Sequence, residues 1–338
     1  MSKRTERNSS IELLRIIAMF AILVYHFFVH GSAVFETSSY VKSFVISFMY
    51  WGVNVFIMIS GYCGMKLKLH SFLKLYATVS LFVLANLLML YLCDVPLSLK
   101  SVRSVVLPFS SGGYWFMAIY LGLLFTTPIL LNGISNLSTH SLRKVVFILF
   151  VFNVFCCGVN KNMSNVNGYT YMQFLFMYVI GYWLSKDNQR FSSLSCVMMA
   201  LMIGVAEMCV AVACENFLGR PIAYFMKYNN IFVVCQSICI FAAFTKFDFK
   251  NKFINHISSA TLGCYLLQDG LFGQKFLYDF LKQHSTMSTY LIALGGVCAI
   301  SYFITKLREQ FDPMILMVSK RLESKVQSLT KNIRKKSC

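Results

Sequence analysis

The first apolar stretch of the chain carries four ionisable residues, Glu12, Arg15, His26 and His30. An ionisable group inside a segment of bilayer length is costly and is a functional candidate by default. Arg15 and His26 are eleven residues apart. At 100° per residue this is three helical turns plus about 20°, so the two share a face, roughly 16 Å apart along the axis. Glu12 lies three residues before Arg15, within reach of an ion pair. A neutral imidazole in an apolar site can take a proton from a hydroxyl and return it to a leaving group. A guanidinium nearer the membrane surface can hold phosphates. One helix could therefore align a phosphate-bearing donor from one side with an acceptor hydroxyl from the other. A plainer reading stands beside it, with Arg15 an interfacial anchor paired to Glu12 and His26 bonded to a neighbouring helix. His26 and His30 have helical metal-ligand spacing, but no third ligand is evident and no metal is expected.

The elements that must position these groups follow from composition. Of 338 residues, 57% are hydrophobic and only 13% charged, and the mean hydropathy is +0.63. A soluble globule needs more polar surface than this. Cytoplasmic enzymes, secreted domains and disordered chains are excluded, leaving an all-α, polytopic integral membrane helix bundle. Ten spans are expected: Ile11 to Val29, Phe44 to Gly61, Leu73 to Leu92, Trp115 to Leu131, Val145 to Val159, Tyr171 to Leu184, Leu194 to Cys214, Ile231 to Phe244, Ile257 to Phe272 and Tyr290 to Ile304. Glu12 and Arg15 in the first span, with no small-residue cleavage site after it, argue against a removable signal peptide.

The formal charge is +18. The basic residues sit in short loops and a tail, which points to orientation rather than nucleic acid. With Lys3, Arg4 and Arg7 in the cytoplasm, the cytoplasmic segments hold most of the Lys and Arg, whereas Lys42, Lys100, Arg103, Lys161, Arg220, Lys227, Lys275 and Lys282 lie outside. Both termini are then cytoplasmic. The expected organisation is an N-terminal segment (1–10), a transmembrane domain (11–304) and a basic tail (305–338) lying on the anionic inner leaflet, with Cys338 fitting no prenylation pattern. The twelve cysteines fall mostly in apolar segments and read as small hydrophobes.

Five motifs occur in order. They are NSSIELLRIIAMFAILVYH (Asn8 to His26), FIMISGYCG (Phe56 to Gly64), GGYWFMAIYLGLLFTTPIL (Gly112 to Leu130), FLFMYVIGYWL (Phe174 to Leu184) and SSATLGCYLLQD (Ser258 to Asp269). Together they resemble the membrane-bound acyltransferase 3 family, with its Arg-x10-His first helix. The resemblance implies transfer of an acyl group, usually acetyl from cytoplasmic acetyl-CoA, to hydroxyls of cell-surface glycans or their lipid-linked precursors. It implies a bacterial cytoplasmic membrane location. It makes His26 the catalytic base or acyl relay and Arg15 a donor- or structure-supporting residue, with Glu12 beside it. Where the family has arginines after its Ser-Gly motif, here Ser60 and Gly61, this chain has Lys66, Lys68, His70 and Lys74. Where the ninth helix often has His-Asp after Tyr-Leu-x, this chain has Gln268 and Asp269, following Tyr265.

Asp269 is expected to orient His26 or bind the acceptor, with a helix-end interaction as the alternative. Tyr114 and Trp115 are expected at the outer interface, as a lipid-facing aromatic belt or stacked on a sugar. Tyr265 and Gln268 complete the expected acceptor set. Ser60 and Gly61 read as a close-packing or break point near the donor site. Glu207 lies mid-span without an evident partner. Partners are the bilayer, acyl-CoA and an envelope glycan. A polytopic transporter or flippase is the competing reading, which would be expected to use Glu12, Glu207 and Asp269 as buried carboxylates.

Overall fold

A computed structural model describes residues 8–110, 113–157, 166–187 and 191–336. The loop charges Lys3, Arg4, Arg7, Lys161 and Arg190, together with Gly112 and Cys338, lie outside the described residues. In chain order the helices are α1 (Ser9–Gly31), α2 (Ala33–Thr37), α3 (Ser39–Met49), α4 (Gly52–Tyr62), α5 (Leu69–Leu92), α6 (Leu99–Val106), α7 (Trp115–Ser135), α8 (Thr139–Phe150, followed by a π-helical turn), α9 (Tyr171–Lys186), α10 (Ser193–Leu218), α11 (Ile231–Phe244), α12 (Lys252–Ile257), α13 (Thr261–Gln268), α14 (Tyr278–Gln283), α15 (Met287–Glu309) and α16 (Asp312–Lys336). No strand occurs among the described residues. Polar residues set the helix starts. Asn8, Ser38, Ser138, Ser192, Asn230 and Thr286 each accept a first-turn backbone N–H, donors that lipid could not satisfy.

Among the described residues, seven helical segments are long and apolar enough to cross a membrane: α1, α3 with α4, α5, α7, α8 with its π turn, α10 and α15. The chain is a multi-pass helical membrane protein. The other three predicted spans take shorter forms. The sixth is α9, of 16 residues, and the eighth is α11, of 14. At 1.5 Å per residue they reach about 24 and 21 Å, less than a ~30 Å hydrocarbon core. The ninth is broken into α12, a 3-10 turn at Ser258–Ala260, and α13. α9, α11 and α13 are largely enclosed by the longer helices, whereas α12 buries no residue; α9 buries Phe174, Phe176, Met177, Tyr178 and Ile180 completely or nearly so. Broken backbone is tolerated at membrane depth where protein surrounds it.

Two glycines allow the central crossing. A Cβ on Gly61 of α4 would collide with the Tyr178 backbone of α9, and one on Gly181 of α9 with the Met58 carbonyl of α4. Gly61 therefore serves close packing, the first of the two roles its motif suggested. Beside this crossing a buried polar network ties α4, α9 and the loop before α11 together. Asn54 Nδ2 donates to the Tyr228 carbonyl (2.9 Å), and Gln173 Nε2 donates to Asn54 Oδ1 (3.0 Å) and to the same carbonyl (2.8 Å). Asn153, in the π turn after α8, donates to Gln173 Oε1. Glu207 on α10 also has a partner: its carboxylate accepts from Asn230, the cap of α11, at 3.0 Å. The eleven cysteines among the described residues are free thiols.

Replacing Gly181 with Leu is expected to cost about 3 kcal/mol or prevent assembly, because the helix backbones cannot separate without opening the core. Gly133→Ala, at a site with open space around it, should leave the detergent melting temperature unchanged or higher. Equal melting temperatures for the two variants would refute the crossing argument.

Candidate active site

Arg15 and His26 line two adjoining spaces along α1. Arg15 faces a chamber of about 650 Å³, lined also by Ser60, Lys74, Tyr120, Ser258 and Arg308. His26 faces a tight cavity of about 30 Å³ walled by Met19, Val53, Trp115, Tyr228 and Tyr265, room for about one water. Phe56, Phe116 and Leu262 line both spaces. They form the neck between the charged chamber and the histidine.

The charged end is built from the first turn of α1. Ser9 and Ser10 bond to α12 and to the end of α11: Asn251 N–H donates to Ser9 Oγ (2.7 Å) and Ser10 Oγ donates to the Phe244 carbonyl (2.7 Å). This places Glu12, 5% exposed, between Arg15 and the 3-10 turn. Arg15 Nη1 donates to Glu12 Oε2 at 2.5 Å, and Ser258 Oγ donates to the same oxygen at 2.5 Å. A buried carboxylate is stable only with such partners. The side chain of Arg15 remains a quarter exposed to the chamber. Ser60 Oγ lies 3.2 Å from Tyr120 Oη on the chamber wall.

Around His26 the pattern reverses, and polar atoms are left without partners. His26 Nδ1, both amide atoms of Gln268 and Tyr278 Oη are buried with no hydrogen-bond partner among the described residues, while the Asp269 carboxylate interacts with the Tyr265 hydroxyl. His26, Tyr265, Asp269 and Tyr278 are neighbours. The His26 and His30 rings meet edge-on at 5.5 Å, and His30 lies 5.1 Å from the Tyr278 ring. Asp269 is within electrostatic reach of both Tyr265 and Tyr278. An unmet buried polar group costs about 1–3 kcal/mol, so a cluster of them calls for an explanation. A hydroxyl-bearing ligand would supply the missing partners.

Several predicted site residues thus come together: Glu12, Arg15, Ser60 and Lys74 at the chamber, and His26, Trp115 and Tyr265 at the cavity. Gln268 and Asp269 lie at the buried end of α13. His26 and Asp269 form no direct hydrogen bond. Lys66 and Lys68 are exposed and not on the chamber wall; Lys74 is, paired with Asp312 at 2.7 Å. Tyr114 and Trp115 do not face lipid as a belt. Tyr114 is buried and donates to the Leu266 carbonyl at 2.8 Å, because an internal acceptor satisfies the phenol better than lipid does. Trp115 stacks on Tyr228 at 5.8 Å.

Other residues escaped the sequence reading. Tyr228, stacked on Tyr50 at 4.4 Å, walls the cavity from a loop that the Asn54–Gln173 network anchors. Asn86 donates to the Leu266 carbonyl (3.1 Å) and accepts from Phe272 N–H (3.0 Å), fixing the chain on both sides of Asp269. A polar residue in the middle of an apolar span was the available signal for Asn86. Tyr228 offered none, because its place depends on the folded loop.

A family model described as an acyltransferase domain matches residues 8–306. The chain belongs to the acyltransferase 3 family. No curated protein and no solved structure matches it. The match to this acyltransferase domain runs from the cap of α1 into the last turns of α15, so it takes in the His26 cavity and all of the chamber wall except Arg308, Glu309 and Asp312. The protein is a membrane acyltransferase, and α1 brings Arg15 to one space and His26 to the other.

Glu12→Gln is expected to lower stability by about 1–3 kcal/mol, since Arg15 loses its countercharge but keeps some access to solvent in the chamber. Ser258→Ala, which removes a single hydrogen bond to the same oxygen, should cost about 1 kcal/mol or less. Detergent melting curves would show it; a larger loss in Ser258→Ala would show that the ion pair does not hold this end of α1.

Proposed function

We propose that this acyltransferase moves an acyl group, acetyl being the expected one, from cytoplasmic acyl-CoA to a hydroxyl of a cell-surface polysaccharide or its lipid-linked precursor. It would do so in the bacterial cytoplasmic membrane, with the Arg15 end facing the cytoplasm. The observation that carries this reading is the pair of adjoining spaces along one helix, a large charged chamber and a small cavity at His26, with Phe56, Phe116 and Leu262 between them. The polyanionic end of CoA suits the chamber. The pantetheine arm spans roughly three helix turns, the Arg15 to His26 separation. The neck of Phe56, Phe116 and Leu262 suits an apolar arm and excludes water from the thioester.

In this reading His26 accepts the proton of the acceptor hydroxyl as its oxygen attacks the thioester carbonyl. The C–S bond breaks, and the imidazolium returns the proton to the departing thiolate. Because the thiolate is a good leaving group, positioning supplies much of the rate. Tyr265, Gln268 and Asp269 would supply hydrogen bonds to the acceptor or to the developing oxyanion. The transport alternative draws nothing from Glu207, which is fully buried and bonded to the cap of a neighbouring helix.

The test is turnover of radiolabelled acetyl-CoA by the purified protein in nanodiscs, with envelope glycan as acceptor. His26→Ala should lower turnover by about 10²–10⁴-fold while leaving donor binding intact. Arg15→Ala should weaken donor binding by about tenfold. Folded wild-type protein that binds no acyl-CoA would sink the reading.

A further inference from the structure

The chamber holds a third cation that the motifs do not include. Arg308 lies in the last turn of α15, just beyond the residues matched by the acyltransferase domain. It lines the chamber with Arg15 and Lys74. Its side chain is 13% exposed, a deep position for a guanidinium at a helix end.

The charges around it leave an imbalance. Arg15 is answered by Glu12. Glu309, also on the chamber wall, is paired with Lys306 at 2.9 Å. Asp312, the first residue of α16, is shared by two cations. Its Oδ2 accepts from Lys74 Nζ at 2.7 Å, and its Oδ1 accepts from Arg308 Nη1. One carboxylate therefore stands against two positive charges. Arg308 Nε is buried and has no hydrogen-bond partner. A guanidinium offers a fork of donors matched to two oxygens of one anion, and an ammonium adds a point charge without fixed geometry. A nearly buried guanidinium with one donor unfilled, on a residue that lines a cavity of about 650 Å³ beside a lysine, has the chemistry of a phosphate site.

We propose that Arg308 and Lys74 bind a phosphate group of the donor, specifically its phosphomonoester. A phosphomonoester is close to a dianion at neutral pH, so the one positive charge that Asp312 leaves uncompensated attracts it more strongly than it attracts a singly charged phosphate. The phosphodiester-like pyrophosphate of CoA carries one charge per phosphorus and fits less well. Asp312 holds the two side chains at the chamber mouth and thereby ties the start of α16 to α5. This assignment rests on acyl-CoA being the donor. It adds a donor residue that lies outside the motif-bearing segments and replaces the exposed Lys66 and Lys68 with Arg308.

The same phosphate chemistry could come from an anionic lipid headgroup, and the test separates the two sources. Affinities for CoA and for 3′-dephospho-CoA, which lacks only the phosphomonoester, would be measured on the full chain in phosphatidylcholine nanodiscs, with and without phosphatidylglycerol. Wild type should bind CoA about tenfold more tightly than dephospho-CoA. Arg308→Gln should bind both with the affinity that wild type shows for dephospho-CoA, which also demonstrates that the variant is folded. Arg308→Lys should recover part of the discrimination. In turnover, Arg308→Gln should raise KM for the acyl donor about tenfold with kcat within about twofold. Discrimination that persists in Arg308→Gln, or equal weakening of both ligands, overturns the assignment. Discrimination that wild type shows only without phosphatidylglycerol would give the site to a lipid headgroup and overturn it as well. A wild type that binds neither nucleotide defeats the acyl-CoA reading itself, a result distinct from either of these.

Discussion

A carboxylate among apolar helices has little water to fall back on, so the protein must answer Glu12 from within. It does so with Arg15 from one turn along the same helix and Ser258 from the break between α12 and α13. Much else follows from that contact. It locks the first turn of α1 against the ninth predicted span, at the point where that span is not a continuous helix. It holds the Arg15 guanidinium on the chamber wall instead of letting it reach for the membrane surface. It sets the height of α1 in the bundle and thereby the depth of His26, three turns away.

The opposite treatment of polar groups at the two ends of this face gives the site its character. Arg15 itself is neutralised by Glu12. At His26, Gln268 and Tyr278, buried donors and acceptors are left unmet among the described residues. The surrounding structure keeps them there. Asn86 and Tyr114 both bond the Leu266 carbonyl and so hold the end of α13, while the Asn54–Gln173 network holds Tyr228 against Tyr50 and Trp115. A hydrogen-bonded framework thus surrounds polar atoms that lack partners, as a ligand site would require.

The helical membrane class was legible in composition, because lipid admits few backbone solutions and a chain this apolar has no other solvent. The Arg15–His26 face was legible as well, since helical periodicity depends only on spacing along one element. The three shorter spans were not. Whether an apolar run crosses as one long helix or as a broken, enclosed piece depends on what surrounds it, and hydropathy does not record neighbours. Tyr114 and Trp115 show the same limit: an aromatic pair at a span end reads as a lipid-facing belt until the Leu266 carbonyl and Tyr228 are seen beside it.

By itself the amino-acid sequence determined the solvent, the helical class, the family and the face of α1 that carries Arg15 and His26. These depend on local composition and on regular repeat. The tertiary structure decided which charges share a chamber, which aromatic residues form its neck, and that Arg308 rather than Lys66 or Lys68 stands on its wall. Those outcomes arise where helices distant in the chain meet, and packing of separate helices sets them, through contacts that no repeat along the chain encodes.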